Sequence, residues 1–90
     1  MENGITLNGI IIPLDVNRFG RPMGIGIETD DFKQYIVQDG YRNEELISRL
    51  HQRIELIGAV IGLDSAGSCI IEIKKIIRHL PYNRKEGLYK

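Results

Sequence analysis

The chain has 90 residues, a formal charge of zero and one cysteine. Ninety residues suit a single domain with one modest core, and one cysteine rules out an intramolecular disulfide, a cysteine-based zinc site and a CxxC redox pair. Isoleucine, leucine and valine supply most of the apolar side chains beside ten glycines, a balance that favours strands and tight turns over helices.

In chain order, "ITLNGIIIPLDV" (5–16) is β-branched and apolar and predicts a first strand. Gly9 inside it signals a bulge or sharp bend that can switch the inward face, with Ile5 and Leu7 pointing in before it. "NRFGRP" follows as a loop with turn geometry from Gly20 and Pro22. "MGIGIE" (23–28) alternates strictly, which places Met23, Ile25 and Ile27 inward and leaves Gly24 and Gly26 on an almost bare outer face. "TDDF" reads as a solvated turn and "KQYIVQ" (33–38) as a third strand paired in a hairpin with the second.

The period then changes. In "NEELISRLHQ" (43–52) Leu46, Ile47 and Leu50 share a helical face, Asn43 suits the cap, and Glu45 reaches Arg49 four residues on. Two more strands follow, with Ile54, Leu56 and Val60 inward around Gly58, "DSAGS" as the turn, and Cys69, Ile71 and Ile73 inward on the last strand. Residues 1–79 are expected to form the domain and 80–90 a basic tail. Residues 1–73 hold six Lys/Arg against eleven Asp/Glu, and 74–90 hold six against one, a basic end on an acidic body.

The order strand, strand, strand, helix, strand, strand, with glycines bending the first and fourth strands, resembles the OB-fold, a five-stranded Greek-key barrel with one helix between strands three and four. The resemblance covers about Ile5 to Ile77 and is one of architecture, so it brings no catalytic residues. An SH3-like barrel is the alternative, and a helix before the fourth strand fits it less well. The fold class expected is therefore mainly β. Binding on OB-folds generally uses the outer face of strands two and three with the loops joining strands one to two and four to five, here Asn17 to Pro22 and Asp64 to Ser68.

The first of these loops holds Arg18, Phe19 and Arg21, two guanidinium groups around an aromatic ring, a set able to pair phosphates and stack on a base. An outward Tyr35 would add a second platform, the bare glycine face would admit a flat ligand, and Lys74 and Lys75 would extend the positive charge. Against this stand Glu28, Asp30, Asp31 and Asp64 near the same face, because phosphate contacts carry most non-specific affinity. Single-stranded nucleic acid is the second reading for that reason. The first is a protein partner or self-association, from the surplus of outward isoleucines, Ile57, Ile61 and Ile70, together with Ala59.

No cofactor or catalytic set is expected. Asp15, Asn17 and Gly20 match an EF-hand loop at three positions, but Phe19 and Gly26 stand where oxygen ligands belong. His51 and His79 read as surface histidines, and Cys69 as a small core hydrophobe. "MENGITLNGIIIPLD" has no basic leader and no stretch approaches the roughly 20 apolar residues of a membrane span, so a cytoplasmic protein without membrane contact is expected.

Overall fold

The structure is a computed structural model, and it describes residues 4–80. It contains β1 (Gly4–Val16), β2 (Pro22–Thr29), β3 (Gln34–Val37), a 3-10 turn (Gly40–Arg42), α1 (Glu44–Ile47), β4 (Arg53–Leu63) and β5 (Cys69–Leu80). The strands close into a barrel in the order β1-β2-β3-β5-β4, all neighbours antiparallel except β3 and β5, which run parallel. This is the OB-like architecture, and the SH3-like alternative falls with it. The expected tail lies outside the described residues apart from Leu80, which ends β5.

Alternation makes the core. Leu7 and Ile11 of β1, Ile25 and Ile27 of β2, Val37 of β3, Ile54 and Leu56 of β4 and Ile71 of β5 are buried together, and Leu46 of α1 joins them as a plug. Seven side chains, Ile11, Ile25, Ile27, Leu46, Ile54, Leu56 and Ile71, are fully buried, each worth about 1.5–3 kcal/mol relative to exposure. No polar or charged residue is buried among those described.

Strand β1 belongs to two ladders. Gly4 to Ile10 pair with β4, and Gly9 to Val16 pair with β2. Gly9 is the crossing point, where a Cβ would lie 2.5 Å from the Glu28 carbonyl oxygen. Gly9 therefore serves a close backbone approach, its register is unbroken in both ladders, and Leu7, Gly9 and Ile11 are all buried, so the inward face does not switch there. The face shifts later, in the β4–β5 ladder, whose register breaks between Glu55 and Leu56, between Ile57 and Gly58, and between Val60 and Gly62.

Three other expectations are corrected. Met23 is 55% exposed, because its strand begins at the barrel rim before the core starts. Ala59 is buried although its neighbours' alternation points it outward. The helix covers only Glu44–Ile47. Asn43 caps it as expected, its Oδ1 accepting from the Leu46 amide at 3.1 Å. The chain then tightens into turns, with Arg49 N donating to Leu46 O and Gln52 N to Arg49 O, and His51 and Gln52 bond to Ile11 of β1. Pairing with β1 ends the helix before the periodic pattern does. Glu45 consequently meets His79 and not Arg49, at 2.8 Å, and His79 is largely enclosed, its side chain 13% exposed.

Candidate functional site: an apolar outer face and three alike hairpin tips

The three hairpin loops share one geometry. In each, the first residue's amide donates to the carbonyl of the fifth and the fourth residue's amide donates back to the first: Asn17, Arg21 and Gly20; Thr29, Lys33 and Phe32; Asp64, Ser68 and Gly67. Asn17 Oδ1 accepts from the amides of Phe19 and Arg21, and Asp64 Oδ1 from those of Ala66 and Ser68. This is a type I turn followed by a left-handed residue. Gly20 (φ 82°) and Gly67 (φ 88°) fill that position in two loops, whereas Phe32 (φ 66°) fills it in the third. Thr29 Oγ1 donates to the Asp31 carboxylate, and that bond holds the Asp31 carboxyl below its ordinary range.

The loop candidates are placed as follows. Phe19 is 83% exposed at the tip of its loop, and the Arg18 guanidinium stands 5.5 Å from the ring centroid, within cation–π range. Arg21 turns away to Glu44 at 2.7 Å, tying the loop to α1. Tyr35 lies opposite Ile27 and Cys69 and packs against the core, so it offers no outward platform. Cys69 beside it is half-buried at the barrel rim, outside the core cluster.

Lys74 pairs with Glu72 at 3.2 Å, and Lys75 sits across from Ile57, which sits across from Thr6 near the start of β1. Arg18 and Arg21 are beyond the other end of β1. The four cations and two aromatic rings of the ligand-binding set are thus not brought together at one place, and Arg53–Asp30 and Arg78–Glu55 consume two further cations.

The outer face of β2 is not bare. The Leu14 side chain lies across it, 3.2–3.3 Å from where a Cβ on Gly26 would be and 3.5 Å from one on Gly24. Register continues this apolar surface across the barrel, with Ile12 opposite Gly26, Gly26 opposite Ile36, Ile36 opposite Ile70 and Ile70 opposite Gly62. Ile12, Ile36 and Ile70 are half-buried. The break in β4 sets Ile61 (46% exposed) beside Gly62, and Leu63 (64% exposed) follows opposite Cys69. Ile61 and Ile70 therefore belong to one patch, and Ile57 stands apart in the row of Thr6 and Lys75.

Sequence reasoning missed Ile12, Leu14, Ile36, Leu63 and Phe32. Aligning "NRFGR", "TDDFK" and "DSAGS" shows the one signal that finds Phe32, a phenylalanine in a glycine column. Among the described residues no helix is long and apolar enough to cross a membrane, and no group of three or more His, Cys, Asp or Glu could hold a metal ion. Compared with family models, curated proteins and solved structures, the chain has no match.

Proposed function

We propose that the protein is a non-enzymatic binding module that works by contact with protein, either another chain or a copy of itself. The observation that carries this reading is the apolar row Ile12, Gly26, Ile36 and Ile70 ending at the exposed Ile61. A contiguous apolar patch on a small domain is characteristic of a contact surface. The candidate cations favour the same reading, because Arg21 and Lys74 have carboxylate partners and lie apart on the barrel, and a phosphate ligand needs several cations converging on it.

Single-stranded nucleic acid is the second reading, resting on the exposed Arg18–Phe19 stack. One experiment separates the two. A photo-crosslinking residue at position 61 traps a discrete protein adduct in cells, while the same residue at the exposed Gln38 traps none. Oligonucleotide titration leaves the amide signals of 17–21 unmoved. No adduct at 61, combined with shifted signals in 17–21 at low salt, transfers the function to nucleic acid.

A further inference from the structure

Among the described residues several stretches of backbone have a strand on one side only, 12–16, 22–25 and 60–63 among them, and two more form the outer edges of the β1–β4–β5 part of the sheet. Gly4–Asn8 of β1 pair with β4, but β2 joins β1 only from Gly9 onward. Glu72–Leu80 of β5 pair with β4, but β3 meets β5 only at Cys69, Ile70 and Ile71. Neither stretch makes another backbone hydrogen bond among the described residues.

The two edges differ in character. The β5 edge carries Lys74, Lys75 and Arg78, and its ladder with β4 is broken in register between Glu55 and Leu56 and between Ile57 and Gly58. Lysines and bulges are the devices that keep strand edges from pairing. The β1 edge, "GITLN", has none of them: it is uncharged, lacks proline, and runs in regular register with β4 from Gly4 to Ile10. The 29–33 hairpin stands at its end. Thr29 lies opposite Gly9, and Arg53 bonds both Asn8 Oδ1 at 3.0 Å and Asp30 Oδ1 at 3.2 Å. That tip holds Phe32, 85% exposed, in the left-handed conformation that the other two hairpins give to glycine. A bulky residue kept there at conformational cost, beside an undefended edge, marks a place that something covers.

We propose that a second copy of this chain adds to the β1 edge, antiparallel about a two-fold axis at Thr6, with Phe32 as an apolar anchor beside the joint. This rests on the protein-contact reading and names its occupant. The edge is self-complementary. The two-fold places Thr6 against Thr6, a favourable cross-strand pair, and Ile5 against Leu7 on the inward side, with Gly4 opposite Asn8 at each end. No like charges meet, and Ile57 flanks Thr6 on β4. Two copies joined through their β5 edges would instead bring together lysines and arginines. An isologous joint closes at two, and one this short gives a weak, concentration-dependent dimer.

The test is sedimentation of the full chain from micromolar to millimolar concentration. The mass should rise to that of a dimer. Thr6→Lys and Thr6→Glu should each remain monomeric, because like charges meet on the axis, and an equimolar mixture should recover the dimer. Thr6 is exposed, so both charges stay solvated in the monomer. Phe32→Gly should weaken the dimer about tenfold while raising the melting temperature. A chain that stays monomeric at millimolar concentration, or a Thr6→Lys variant that dimerises as the unaltered chain does, overturns the proposal. If the adduct at 61 survives, only this joint is wrong; if the adduct is lost too, the protein-contact reading falls with it.

Discussion

Phe32 occupies a backbone position that this barrel twice gives to glycine. Its ring is almost fully exposed, so burial does not compensate the left-handed conformation. Phe32→Gly should raise stability by about 1 kcal/mol, which in a chain of this size moves the melting temperature by about 4–8 °C. Gly67→Ala should lose a comparable amount, and thermal unfolding of the two variants checks the pair. Single side chains were unevenly legible in the sequence. Asn43 as a cap and Leu46 as a core residue follow from local spacing. The partner of Arg21 does not, because Glu44 is brought to it by the fold. Tyr35 was ambiguous for a different reason: β3 has only four residues, too few for alternation to say which set faces in.

Among the elements, the strands and their turns were legible because a two-residue period and glycine or Asx turns are local signals. The helix was less so, since its periodic run outlasts it once His51 and Gln52 bond to Ile11. The breaks in the β4–β5 ladder were hidden, because a bulge changes the parity of every residue after it without leaving a mark in composition. The apolar row across four strands was invisible for the same reason, as it exists only through register. Register also ranks the glycines of the bent strands. A Cβ on Gly9 would sit 2.5 Å from a backbone oxygen of β2, whereas one on Gly58 would sit 3.2 Å from the Glu72 oxygen. Gly9→Ala should therefore destabilise the barrel more than Gly58→Ala, by about 1–3 kcal/mol against less than about 1, as denaturant titration of both variants would show.

At the scale of the whole molecule, charge works within the described residues mainly as links across the fold. Three ion pairs join distant parts of the chain, Arg21 to Glu44, Arg53 to Asp30 and Arg78 to Glu55. All are solvated to some degree, and exposed pairs contribute about 0–1 kcal/mol each, so the fold rests on its isoleucine and leucine core. Closure depends on pairings far apart in sequence, β1 with β4 and β3 with β5, a topology that folds slowly relative to local hairpins. The parallel β3–β5 contact is the shortest of these, three residue pairs against the long β4–β5 ladder. Hydrogen exchange should find Tyr35–Gln38 unprotected ahead of the amides shared by β1 and β4. Protection equal across both would mean that the barrel opens only by global unfolding. The cylinder is thus a curled sheet held shut through the short β3, by three residue pairs to β2 and three to β5, and its native fluctuations have a direction, an unrolling that starts at β3 and leaves the β1–β4–β5 half intact.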